Sequence, residues 1–181
     1  MAQRGWHIDL TRCTGCNACT VACKFENNTY LPGPGEKGGP VNYRAVVKQE
    51  GGAFPNPVRR FISMSCMHCA NPACLPACPV GAISKRASDG IVLIDENLCI
   101  GCRNCEWTCP YGAPQYNPKT GKVEKCHFCK DRIDAGLPPA CVQTCVGDAL
   151  HMLDDVTSPG GAVPEGFAPI SMTNPSVVFE E

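Results

Sequence analysis

Four short stretches hold every cysteine of the chain, and their spacing is that of metal ligands. Residues 99–109, CIGCRNCEWTC, set thiols at gaps of two, two and three residues, and Pro110 follows the last. Residues 13–23, CTGCNACTVAC, repeat that spacing. Three thiols two residues apart place their sulfurs on one tight loop around a small inorganic body. The fourth lies one helical turn on, near the start of a helix that points elsewhere. In two-cluster bacterial ferredoxins the fourth cysteine of such a run ligates the neighbouring cluster. A proline behind it, as at Cys109-Pro110 and Cys78-Pro79, holds the cysteine out of the helical region and supplies no N–H.

The stretches are duplicates of two kinds. IDLTRCTGCNACTVAC (8–23) and IDENLCIGCRNCEWTC (94–109) share I-D-x-x-x-C-x-G-C-x-x-C-x-x-x-C. A looser block reads CMHCANPACLPACPVGAI at 66–83 and CHFCKDRIDAGLPPACVQTCVGDAL at 126–150. Each loose block opens C-x-x-C, carries Pro-Ala-Cys before x-x-x-C, and returns to a small apolar run. The order is tight, loose, tight, loose, an internal duplication. All 16 cysteines are used in this way, and four groups of four thiols suit four cubane [4Fe–4S] clusters. Spacing alone leaves open which blocks exchange their fourth cysteine.

Zinc and disulfides fit less well. Structural zinc takes two C-x(2–4)-C knuckles separated by a longer loop, and four thiols within eleven residues would crowd two ions. A disulfide framework belongs to secreted chains. The start, MAQRGWHIDLTRC, lacks the apolar run, cleavage site and twin arginine of an export signal. Nowhere do about 18 apolar residues run together, so no membrane span is expected. Sixteen Lys+Arg against 17 Asp+Glu give a formal charge of −1, with no basic block for nucleic acid. Roughly −2 per oxidised cluster would carry that to about −9, so nearby cations are expected to compensate. Arg12, Lys24, Arg103, Lys125 and Lys130 lie beside cysteines; most read as ordinary surface charge. His68 and His127 sit inside C-x-x-C pairs, but thiols already fill every ligand position. Trp107 reads as a shield over a cluster.

The elements that must position these thiols are short. VNYRAVVKQEG and VRRFISMS alternate as strands, and Asp89-Gly90 turns into IVLID. NNTYLPGPGEKGGP is turn and loop chemistry. With 181 residues, 18 Gly, 17 Pro and 7% aromatics, little remains for an ordinary core, and bound metal is expected to replace part of it. Short βαβ-like units around clusters point to a ferredoxin-like α+β fold. Residues 154–181 hold no cysteine and four prolines, and read either as a loose tail or as an arm on a partner.

HIDLTRCTGCNACTVACK, SCMHCANPACLPACPVGAI, CIGCRNCEWTCPYGAPQY and KCHFCKDRIDAGLPPACVQTC together resemble the four-cluster electron-transfer subunits of the dimethyl sulfoxide reductase superfamily, its dimethyl sulfoxide reductase branch most of all. The likeness covers residues 7–153. It implies two pseudo-symmetric, two-cluster ferredoxin-like halves, with loop insertions and an extended C-terminal tail. Residues 1–27 and 110–153 would form one half and 60–109 the other. Residues 28–59 would be an insertion loop with a strand, and 154–181 a tail contacting a partner.

Carried over by position, Cys13, Cys16, Cys19 and Cys145 would hold cluster one, and Cys23, Cys126, Cys129 and Cys141 cluster two. Cys66, Cys69, Cys74 and Cys109 would hold cluster three, and Cys78, Cys99, Cys102 and Cys105 cluster four. Nitrate reductase-like relatives carry tryptophan at the position of Cys102 and hold a three-iron cluster there, so cysteine implies four [4Fe–4S] clusters. Val146 departs from the proline that relatives often carry after the last cysteine. The implied role is a non-catalytic relay between a quinol-linked membrane-anchor subunit and a molybdenum or tungsten bis-pterin catalytic subunit. The first pair of clusters would face the catalytic subunit. The implied location is the periplasmic side of the cytoplasmic membrane, by co-export with a twin-arginine partner, or else the cytoplasm. A free-standing polyferredoxin shuttle is the alternative, as is service to a formate dehydrogenase or a polysulfide, thiosulfate or arsenate reductase.

Overall fold

The computed structural model describes residues 2–181. Strand β1 (Gly5–Asp9) leads into the first tight block, and helix α1 (Ala18–Asn27) follows with Cys19 and Cys23 on its buried side. Between them the chain turns through left-handed backbone at Gly15 (φ 72°) and Asn17 (φ 61°). The third block repeats this: β5 (Val92–Ile94), then Gly101 (φ 70°) and Arg103 (φ 66°), then α2 (Asn104–Thr108) with Cys105 buried. Matching left-handed residues at matching positions are the physical content of the duplication. Gly101 has a second constraint, because a Cβ there would lie 2.1 Å from the Gly121 carbonyl oxygen. Cys109 closes α2 in extended conformation (φ −78°, ψ 115°), as Pro110 requires.

The loose blocks feed strands that pair back onto the tight ones. Strand β4 (Ile83–Lys85), after the second block, lies antiparallel to β5 with Ile83 opposite Ile94. Strand β8 (Leu150–Leu153), after the fourth block, lies antiparallel to β1 with Leu150 opposite Ile8. The first block is thereby joined to the fourth and the second to the third. Two small helices of the fourth block, α3 (Lys130–Asp134) and α4 (Ala140–Gln143), carry Cys141 inward, and α4 packs on α1.

The two central strand segments form one long hairpin, β2 (Arg44–Ala53) with β3 (Asn56–Ser65). Its base is buried at Arg44, Ile62, Ser63 and Ser65, while Phe54 at its tip stands in solvent. A short hairpin, β6 (Gln115–Asn117) with β7 (Lys122–Glu124), sits beside the third block. Residues 154–181 are mostly irregular, with a 3-10 turn at Ile170–Met172, but return to the chain's own sheet. Strands β9 (Gly160–Gly161) and β10 (Val177–Glu180) complete a four-stranded sheet in the order β8-β1-β10-β9. Strand β10 runs parallel to β1, and Val177 and Phe179 are buried. The run V-V-F carries this apolar alternation, a short signal in a proline-rich stretch. Apolar side chains and thiols share the core: Trp6, Ile8, Ile91, Phe128 and Leu150 pack among Cys19, Cys23, Cys66, Cys126 and Cys141. No helix of the described residues is long and apolar enough to cross a membrane.

Candidate metal centres

The sixteen thiols are all free, with no disulfide among them. Cys13, Cys16, Cys19 and Cys145 line one cavity, with Ile8, Val46 and Ser63 as its walls and about 400 Å³ of atom-free space. Cys66, Cys69, Cys74 and Cys109 line a second of about 360 Å³, against Met67, Val92 and Lys125. Cys78, Cys99, Cys102 and Cys105 line a third of about 300 Å³, walled by Ile83, Ile94 and Val123. The remaining four, Cys23, Cys126, Cys129 and Cys141, are buried together in the core. There, charge on Cys141 or Cys129 acts on Cys23, and charge on Cys23 or Cys141 acts on Cys126.

These groups stand in a file. The first meets the Cys23 group where Cys19 acts on Cys141, and that group meets the Cys66 group where Cys66 acts on Cys126. Cys74 then packs in one cluster with Cys78, Cys99 and Cys105. In this order they are sites one to four. Cys16 in site one and Cys102 in site four are the exposed thiols, so the surface is reached most directly at the two ends.

The donors fit a polynuclear iron–sulfur core better than a single ion. Among the described residues no three His, Cys, Asp or Glu side chains converge closely enough to hold one metal ion. The thiols instead surround volumes, and every donor is sulfur. Burial pushes the thiols of Cys23, Cys69 and Cys74 up to about 12 and that of Cys105 up to about 11. With only protein around them they keep their protons; thiolate forms when a cation takes the proton's place.

The backbone is already turned toward the sulfurs. Ala82 N–H donates to Cys78 Sγ at 3.2 Å, and Ala149 N–H donates to Cys145 Sγ at 3.2 Å. This is the same four-residue reach in both halves of the duplication. Phe128 N–H points at Cys126 Sγ (3.4 Å), Val123 N–H at Cys99 Sγ (3.5 Å) and the Asn27 amide at Cys23 Sγ (3.5 Å). Such donors favour negative charge on sulfur and so tune an iron–sulfur potential.

Several neighbours lie where spacing gave little guidance. Lys125 is buried, with its ammonium donating to the carbonyls of Val92 and Cys126. His68 is fully buried, and its Nδ1 accepts from Val92 N–H at 3.0 Å. Burial, then the charge of Lys125, pulls its pKa well below the usual range, so the ring is neutral. Trp107 shields nothing: it is 81% exposed, two residues from buried Cys105 and hence on the opposite face of α2. Arg44, Trp6 and Ser63 carry no cysteine-motif signal at all. The Arg44 guanidinium lies 4.3 Å over the Trp6 ring, whose other face stacks on Phe128 at 4.0 Å, and Trp6 Nε1–H donates to the Cys66 carbonyl at 3.0 Å.

Residues 58–155 match a family described as a 4Fe–4S dicluster domain, and residues 12–82 match a second family of the same description. One chain of the anaerobic dimethyl sulfoxide reductase of Escherichia coli (strain K12) is 38% identical over 98% of this protein and 88% of its own length. One subunit of the sulfite dehydrogenase of Allochromatium vinosum is 39% identical over 90% of this protein and 73% of its own length. One subunit of the tetrathionate reductase of Salmonella typhimurium is 42% identical over 84% and 58% respectively. With its thiols gathered in fours around sulfur-lined spaces and these relatives along nearly its whole length, the protein belongs to the iron–sulfur electron-transfer subunits of dimethyl sulfoxide reductase-like complexes and is not itself the catalytic subunit.

Proposed function

We propose that the chain holds four [4Fe–4S] clusters in single file and relays electrons one at a time along them. Site one uses Cys13, Cys16, Cys19 and Cys145; site two Cys23, Cys126, Cys129 and Cys141; site three Cys66, Cys69, Cys74 and Cys109; site four Cys78, Cys99, Cys102 and Cys105. The carrying observation is the gathering of the thiols in fours around sulfur-lined spaces, with Cys16 and Cys102 the exposed members. Bound clusters supply one-electron redox chemistry. The protein's part is to fix their spacing, exclude water from the inner two, and aim N–H groups at the sulfurs. The pairing of β1 with β8 and of β5 with β4 supports two ferredoxin-like halves, 1–27 with 110–153 and 60–109.

One end of the file serves a molybdenum or tungsten bis-pterin catalytic subunit, and the other a quinol-reactive membrane subunit. Relatives named for dimethyl sulfoxide, sulfite and tetrathionate enzymes match about equally well, so the terminal substrate is chosen by the catalytic partner. The complex works on the periplasmic side, exported folded with a partner that bears the twin-arginine signal. Iron and acid-labile sulfide assays on the purified chain test the cluster content: about 16 of each per chain is expected, and near-zero iron refutes it. Co-purification of a large pterin-containing subunit is expected from the native host; its absence favours a free shuttle.

A further inference from the structure

We propose that Arg44 is a potential-setting residue shared by sites one and two, a fixed cation that raises the reduction potentials of both more than those of sites three and four. The proposal rests on the cluster content argued above and adds to it the role of a residue outside the cysteine motifs.

Arg44 opens β2 opposite Ser65 and is 1% exposed. Its Nη1 donates to the Ser63 carbonyl (3.1 Å) and to Ser63 Oγ (3.0 Å), and its Nη2 donates to Ser65 Oγ (2.9 Å). These partners are neutral, and no carboxylate among the described residues pairs with it. A buried charge without a counter-charge costs several kcal/mol. Burial opposes its charge, and the groups around it that would offset this as thiolates are sulfurs: negative charge on Cys141, Cys126, Cys19 or Cys23 favours its charged form. Cys19 belongs to site one and the other three to site two.

Toward site two the guanidinium acts through space on Cys141, Cys126 and Cys23, which share the buried core with the Trp6 ring beneath it. Toward site one the link is Ser63: its hydroxyl accepts from Arg44 and lies 3.4 Å from Cys19 Sγ. With its oxygen occupied by Arg44, the hydroxyl hydrogen is free to donate to that sulfur. The Nε–H of Arg44 has no acceptor in the protein although it is buried. An orphaned donor in a thiol-lined core is satisfied by further sulfur there, which is the chemistry of the group these cysteines hold. The Trp6 ring, 4.3 Å away, fixes the plane of the guanidinium.

An electron arriving at either site adds one negative charge beside this cation, with no bond made or broken. The attraction favours the reduced state, so removing the cation must lower both potentials.

The test is a redox titration of the purified full chain followed by low-temperature EPR, with iron and sulfide counted in parallel. In Arg44→Met the reduction equilibrium constants of sites one and two are expected to fall at least tenfold, or 59 mV for a one-electron couple. Those two signals should shift most and the site-four signal least. Arg44→Lys, which keeps the charge, should stay within about threefold of the parent. Ser63→Ala, which keeps Arg44, should shift site one alone. Four unmoved potentials in iron-replete Arg44→Met overturn the proposal, as does an equal shift of all four. Should Arg44→Met fail to hold iron, Ser63→Ala decides, and an unmoved site one overturns the proposal. Low iron in the parent chain would instead refute the cluster content.

Discussion

Replacing Gly101 by alanine tests the link between backbone geometry and metal loading at one site. Gly101 lies between Cys99 and Cys102, at φ 70°, with its missing side chain aimed at the neighbouring hairpin. A Cβ there would stand 2.1 Å from the Gly121 carbonyl oxygen, whereas real Cβ contacts are essentially never under 3.0 Å. Gly121 is backbone and cannot swing aside, so loop or hairpin must give by about 0.9 Å. Metal–ligand distances tolerate only about ±0.2 Å, and the same hairpin supplies the Val123 N–H aimed at Cys99 Sγ.

Left-handed backbone by itself costs an alanine only about 1–2 kcal/mol. Gly81→Ala isolates that part: Gly81 also borders site four, at φ 64°, but a Cβ there meets nothing within 4 Å. Its counterpart in the other half of the duplication is Asp148, a side-chain-bearing residue at φ 52°. Gly101→Ala is therefore expected to lose about four of roughly 16 irons, with the site-four EPR signal absent, while Gly81→Ala keeps its full complement. Equal iron in the two variants would show that the close approach to Gly121 does not govern site four.

Cys102→Trp removes one ligand from site four and is expected to leave a three-iron cluster there; an unchanged EPR spectrum of the oxidised protein would remove Cys102 from the ligand set. Trp6→Phe keeps the stack on Phe128 but removes the shorter of two hydrogen bonds to the Cys66 carbonyl, leaving that from the Ser65 hydroxyl, a loss of about 0.5–1.5 kcal/mol. It should appear as faster iron release on heating, and release at the parental rate speaks against a structural role for that hydrogen bond. Burial raises the thiol pKa values of the inner sites, so loading displaces protons and weakens as pH falls. Chemical reconstitution of stripped protein should be fuller at about pH 8 than at about pH 6, with protons released in step, and a pH-independent yield would contradict it.

The cysteine blocks were legible because ligation to a small core is a local matter of two- and three-residue gaps. So were the glycine two residues after the first cysteine of each tight block and the strand before the third block, whereas β1 before the first block carried no alternation long enough to mark it. The β2–β3 hairpin showed as two alternating runs, although its pairing depends on a turn at 54–55 that alternation does not mark. Which block faces which is tertiary: Cys23 meets Cys126 and Cys141 across a hundred residues, and no spacing encodes that. Arg44 was hidden for a similar reason. A basic residue in a strand reads as solvent-facing until the thiols around it are known. The segment 154–181 read as a loose tail or an arm on a partner because it holds four prolines and no cysteine, yet its last strand docks on the chain's own sheet.

That last strand has a consequence for how the protein is made. All sixteen thiols precede residue 146, whereas β10, which lies against β1 and anchors Ser176 to the Met67 and His68 carbonyls, begins at Val177. At 5–20 residues per second, synthesis of the intervening stretch takes roughly 2–7 s. During that interval a nascent chain already owns every sulfur it needs but has not yet closed its sheet. Closure of that sheet therefore waits on a segment made after the last ligand.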